Sequence, residues 1–282
     1  MVFEALLRAQ KAEKRPFLVF LLGILYSSIA VIFGLFAFRR DESILVISFI
    51  VFAAIPLMYM VIRLEEKKDR YVKKESVLLR EHSKALFSFV ALFLGILISL
   101  SLWYVFLPYG YVKELFSSQI REVMIVEQGF SGTVVRPGLF SFVILHNLQV
   151  LFFSFLFSFF FGAGAIYILT WNASVIAVAL GSFIREQMVS FSESLGVTTL
   201  GAYFGSFSYG LLGYMSHGIF EMIAYFIAGI AGGIISVAVI RHDLFNKKFR
   251  KIIYDSLLLM GISVIVLLLG AFIESHISSL IF

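Results

Sequence analysis

An all-α, polytopic transmembrane bundle of about seven spans is the fold class this sequence predicts, and three observations carry the prediction. Hydrophobic residues fill 60% of the 282 positions and charged residues only 15%, with a mean hydropathy of +0.97, far outside soluble composition. Apolar runs of bilayer length recur along the chain. Lys and Arg gather in alternate connections between those runs, as they do in cytoplasmic loops. Positive-inside topology accounts for the formal net charge of +5, so no nucleic-acid partner is inferred and the lipid bilayer is the partner that composition demands. With no cysteine in the chain, disulfides, thiolate metal sites and cysteine nucleophiles are excluded.

Residues 1–15 set Phe3, Leu6 and Leu7 beside Arg8, Lys11, Lys14 and Arg15, the pattern of a short amphipathic helix on the inner membrane face. The apolar run 16–38 is 23 residues long, beyond a signal-peptide core, and reads as a first retained span. A tight turn at Arg39, Arg40, Asp41 and Glu42 returns the chain into a second span, 43–62, with a bend expected at Pro56. Residues 63–84 carry eight basic residues against five acidic ones and no Pro or Gly. They read as a helix continuing from the second span into a solvated cytoplasmic linker, a surface for a partner or for lipid headgroups being the sharper reading. A third span, 85–107, ends in Trp103 and Tyr104 at interfacial level.

Outside, Val112, Leu115, Phe116, Ile120, Val123 and Met124 follow helical spacing opposite Lys113, Glu114, Gln119, Arg121 and Glu122, predicting an amphipathic helix on the outer surface or across the bundle mouth. A long fourth span is expected over 139–169, with His146, Asn147 and Gln149 near its outer end and Asn147, Ser154, Ser158 and Gly162 on one face. Residues 171–184 form a short fifth. Residues 197–210, rich in Gly and Ser, read as a re-entrant or surface segment. The basic residues Lys247, Lys248, Arg250 and Lys251 then precede a last span, 257–273, so the amino terminus is expected inside and the carboxyl terminus outside. The division expected is 1–84, an interfacial helix, hairpin and basic loop, and 85–282, a five-span domain.

The expected arrangement centres on the run 211–240, long enough to span a bilayer yet carrying His217 and Glu221 one helical turn apart on one face. Ionisable side chains at membrane depth must face protein or water and find partners, which makes them candidate site residues. Small residues beside them, Ala224, Ala228, Gly232 and Ser236 at spacing four with Gly229 and Gly233, offer a surface that another helix can approach closely.

In this combination the chain resembles the stage II sporulation protein M family, small integral membrane proteins. The resemblance rests on His146-Asn147 opening a Phe-rich helix, Gly162-Ala163-Gly164 closing it, Trp171-Asn172-Ala173 after it, and His217-Gly218-Ile219-Phe220-Glu221 before a Gly/Ala-rich helix. It covers roughly 85–273. Where the family usually shows Asn-Gly, this chain has Asn172-Ala173. The resemblance implies a membrane scaffold, since the sporulation member belongs to a complex that brings peptidoglycan-degrading partners to the engulfing septum.

Three readings compete for His217, Glu221 and Asn147. The preferred one is architectural: the three side chains hydrogen-bond one another and fix how two helices meet inside a scaffold or assembly protein. Its partners would be other membrane proteins or further copies of the chain. The alternative is a channel or an ion- or proton-coupled transporter lined by the same cluster, with the short 171–184 and glycine-rich 197–210 segments as its broken elements. The third is intramembrane metal chemistry. It needs further ligands, for which His146, Gln149, Asn172 and Glu193 are the polar candidates, although His146 lies about 100° around the helix from Asn147. No cofactor motif and no catalytic residue are read from the sequence. His82, His242 and His276 are read as solvated.

Overall fold

The computed structural model describes residues 9–37, 42–72, 74–130, 139–158, 163–195, 199–240 and 247–273. Within them the chain forms ten helices and no strand: α1 (Ala9–Lys14), α2 (Pro16–Ala37), α3 (Glu42–Tyr71), α4 (Glu75–Phe106), α5 (Tyr109–Leu115), α6 (Ser117–Phe130), α7 (Leu139–Phe157), α8 (Ala163–Leu195), α9 (Thr199–Ile240) and α10 (Lys247–Ile273). Six of these are long and apolar enough to cross a membrane, namely α2, α3, α4, α8, the 218–240 part of α9, and α10. The apolar stretch described in α7 is shorter, Ile144–Phe157. The chain is thus an all-α polytopic bundle.

Helix α9 is its axis. All side chains from 224 to 238 are buried, and α10, α8, α7, α3 and α4 pack around them. Of the window centred in its apolar part 83% is buried, against 33% for α10, whose exposed Leu, Ile and Phe side chains form a lipid-facing surface. The small residues of α9 explain the difference. Lipid tails are as apolar as leucine, so helices associate through close van der Waals contact, and a narrow Gly/Ala helix can be surrounded on every side. Three α9 glycines meet three different neighbours: Gly232 faces the Phe155 carbonyl of α7, Gly233 lies against Ile62 of α3, and Gly229 lies against Ala165 of α8.

Several expectations are revised. The apolar run 139–169 is not one span, because α7 ends at Phe157 and α8 begins at Ala163. Gly164 sits directly against Phe157, a close return that a side chain at 164 would block. Residues 171–184 consequently belong to the 33-residue α8 rather than to a short span. Residues 199–210, expected to be re-entrant or superficial, are helical and continuous with α9, which runs for 42 residues. Backbone groups near hydrocarbon gain more from intrahelical hydrogen bonds than Gly and Ser lose in propensity. Helix α10 starts ten residues ahead of the predicted span, at Lys247.

Residues 63–84 are not a solvated linker. Helix α3 runs on to Tyr71 and α4 starts at Glu75, so this region is two antiparallel helix ends. Helix α1 packs on those ends, against α3 and α4. At the opposite end the predicted amphipathic helix is two helices, α5 and α6, breaking at Phe116. Val112, Leu115 and Phe116 are buried under them, and so is Gln119, which had been placed on the polar face.

Helices α2 and α4 cross through a glycine pair. A Cβ at Gly23 would stand 2.6 Å from the Leu92 carbonyl oxygen, and one at Gly95 would strike the Phe20 carbonyl. Farther along the seam Trp103 Nε1 donates to Ser28 Oγ at 3.2 Å. Gly95→Ala is therefore expected to force the helices apart and lower stability by about 1–3 kcal/mol, measured by thermal unfolding in detergent. Gly261→Ala, with nothing within 4 Å of the added methyl group, should leave the transition unchanged.

Candidate functional site

The polar group at membrane depth joins α7 to α9. Asn147 is buried on the inward face of α7, in line with the buried Ser154 and Ser158. Its side-chain amide donates to Glu221 Oε1, and its carbonyl oxygen Oδ1 accepts from the Tyr225 hydroxyl at 3.0 Å. Glu221 and Tyr225 are one turn apart on α9, so a single amide bridges two successive turns of the facing helix. Asn147 is placed for this by the stripe of small residues below it, where Gly232 lets the α7 backbone approach and Ser158 Oγ turns back to its own Ser154 carbonyl at 2.7 Å. Tyr225 was not among the residues singled out by sequence. It follows Glu221 at spacing four, and that spacing was the available signal.

The other predicted residues are distributed differently. His217 and Gly218 lie on α9 in the turn before Glu221, but the side chain of His217 is outside the described residues, as is that of Glu193 on α8. Gly162 is also outside them. His146 and Gln149 are exposed on α7. Asn172 is half-buried on α8, and its side chain donates to the Ile168 carbonyl of its own helix at 2.8 Å. Glycines 164, 218, 229, 232 and 233 and alanines 224 and 228 all occupy buried or half-buried positions. Among the described residues no group of three or more His, Cys, Asp or Glu side chains is placed to hold a metal ion.

A second polar group lies at the basic end of the bundle, where sequence reading placed only solvated charge. It stands among the charged residues 63–84, beyond the charge-free runs 43–62 of α3 and 85–106 of α4. Glu65 and Asp69 are one turn apart on α3, fully buried, and clasp the His82 ring of α4 between them. His82 Nδ1 is 2.6 Å from Glu65 Oε2, and Nε2 is 3.0 Å from Asp69 Oδ1. Lys68 ties in α1: its ammonium lies 2.6 Å from Glu65, 2.7 Å from Glu13 and 3.3 Å from Glu81. Lys251 ties in α10: it pairs with Asp255 at 3.1 Å and donates to the Asp69 and Val72 carbonyls at 2.9 and 2.7 Å, capping the end of α3. His82 is thus buried in an ion network, not solvated.

Burial alone would pull the His82 imidazole down, but the Asp69 and Glu65 carboxylates on its two nitrogens outweigh that and raise it to about 9. Burial, reinforced by the neighbouring Glu65, pushes the Glu13 carboxyl up to about 7 against the pull of Lys68. The chemistry available here is that of an imidazolium held between two carboxylates, which fastens the ends of four helices. A mirror fastening closes the other end. Arg185 of α8 donates to the Val105 carbonyl at 3.1 Å and to that of Leu107, and lies over the Tyr104 ring.

A family model described as Stage II sporulation protein M matches residues 17–279, which takes in the first hairpin as well as 85–273. No curated protein and no solved structure matches the chain.

The His82 pairing has a definite pH signature. Because the folded value of about 9 exceeds the ordinary 6.5, the folded state holds the proton more tightly, and the stability this supplies is complete below pH 6.5 and lost as pH rises through about 9. The thermal midpoint of the purified protein should fall between pH 7 and pH 10. His82→Gln should lower the midpoint at pH 7 and flatten its dependence over that range; a variant as steep as the native chain would contradict the assignment.

Proposed function

The chain belongs to the stage II sporulation protein M family, and on that premise we propose that it is an integral membrane scaffold or assembly component, with the interhelical cluster of Asn147, Glu221 and His217 as an architectural fastening. The observation that carries this reading is that Asn147 is engaged at both ends of its side-chain amide. Its amide nitrogen is engaged by Glu221 and its oxygen by Tyr225, on a helix whose side chains from 224 to 238 are all buried. A ligand or relay site needs donor or acceptor capacity facing a path or a guest; a fastening uses that capacity inside the protein.

The orientation that fits this role puts the ends of α3, α4 and α10 that carry Arg63, Lys67, Lys74, Lys247 and Arg250 in the cytoplasm of a cell-membrane protein, with the carboxyl terminus outside. Membrane-protein partners, or further copies of the chain, would then meet the cationic ends inside or the α5–α6 cap outside, where Tyr109, Tyr111, Met124 and Ile125 are exposed. Nucleic acid and cofactors have no part in this reading.

Proton and cation flux into proteoliposomes separates scaffold from transporter. Flux through the native chain should not exceed that of protein-free vesicles, and Glu221→Gln should leave it there. Flux carried by the native chain and abolished by Glu221→Gln would make the cluster a relay and overturn the reading.

A further inference from the structure

At the basic end, acids and bases are segregated. Glu65, Glu66, Asp69 and Asp255 are buried, whereas Arg63, Lys67, Lys74, Lys247, Lys248 and Arg250 are exposed. The surface is therefore more cationic than the composition of the segment implies.

Helix α10 sharpens this into a local conflict. Lys247, Lys248, Arg250 and Lys251 crowd its start, with no acid in the first turn, at the end where the helix dipole disfavours positive charge. Two of the four are compensated within the protein. Lys251 is held by Asp255 and the α3 carbonyls, and Lys248 lies over the Tyr71 ring, 5.3 Å from its centroid. Lys247 and Arg250, neighbours at spacing three on one face, have no ion pair among the described residues. One turn farther along that face stands Tyr254, 67% exposed. Arg250, Tyr254 and Leu257 follow one another along this side of α10 from charge to aromatic ring to aliphatic chain, the order of headgroup, interface and acyl layer, and with Phe249 and Ile253 they line an open groove of about 420 Å³.

We propose that this groove binds an anionic phospholipid, its phosphate between Lys247 and Arg250 and an acyl chain along Ile253 and Leu257. An acidic protein segment could neutralise the two cations but would make no use of an apolar wall leading into the membrane-spanning part of α10. The complementarity of both charge and polarity gradient favours lipid. This assignment does not rest on the cluster of Asn147, Glu221 and His217, and it holds whether or not the bundle conducts.

The test uses the full chain in nanodiscs of equal phosphatidylcholine and phosphatidylglycerol, with retained lipids counted by native mass spectrometry. Phosphatidylglycerol should be retained over phosphatidylcholine by about tenfold or more, since each basic residue near an anionic surface contributes roughly fivefold. Lys247→Gln with Arg250→Gln should bring the ratio close to one, and Arg250→Gln alone should lower it by roughly fivefold, so the proposal stays testable if the double variant does not fold. Lys113→Gln, at the opposite end, should leave the ratio unchanged. A native chain without preference, a preference that survives both variants, or displacement of the lipid by inorganic phosphate or by an acidic peptide at equal charge would each overturn the proposal.

Discussion

Hydrocarbon supplies no hydrogen bonds, so every polar side chain that this chain carries into the bundle must be answered by another part of the same molecule. The contact between Asn147 and Glu221 is the point where that constraint bears hardest, because an ionisable group lies on the axial helix, half-buried against α7. Glu221 can occupy α9 because α7 brings an amide to it, and α7 can come that close because Gly232 has no side chain. The same amide is steadied by Tyr225. Close packing and polar satisfaction are thus one requirement: the small residues of α9 provide the approach, and the polar ones fix its register.

The two ends of the bundle meet the constraint differently. At the α4–α8 end a single cation, Arg185, gathers the last carbonyls of α4 and stacks on Tyr104. At the basic end an extended network joins α1, α3, α4 and α10, with His82 at its centre. Individual surface ion pairs contribute little, but here Glu65, Asp69 and Asp255 are buried and each has a cation or imidazole beside it, so removing one partner leaves an uncompensated buried charge. Burying the acids also leaves the bases outside, facing the headgroup layer. Internal stability and external surface character at this end therefore have a common cause.

Most of the membrane architecture was legible in the sequence, because bilayer-length apolar runs and the placement of Lys and Arg are strong one-dimensional signals. The central helix was legible through its Gly/Ala stripe, and Asn147 and Glu221 through the cost of leaving either unpartnered in hydrocarbon. The α7–α8 reversal was not, since 139–169 carries no Asp, Glu, Lys or Arg and only Gly162 and Gly164 hint at a turn. Residues 199–210 misled because Gly and Ser mark irregular backbone in water, whereas at a membrane they sit readily in a helix. The His82 network was hidden most completely. Glu13, Glu65, Asp69, His82 and Asp255 come from four helices, and no spacing rule joins residues 13, 82 and 255; within 63–84 the acids are outnumbered by Lys and Arg and vanish into a positive average.

The central claim, that Asn147 and Glu221 hold each other within a packed interface, is tested most directly by a double-mutant cycle on unfolding in detergent, using Asn147→Leu, Glu221→Leu and the pair. The account predicts a coupling of about 0.5–2 kcal/mol, the range found for interhelical hydrogen bonds in membrane proteins. Additive effects, agreeing to within about 0.3 kcal/mol, would show that the two side chains act independently and would contradict it.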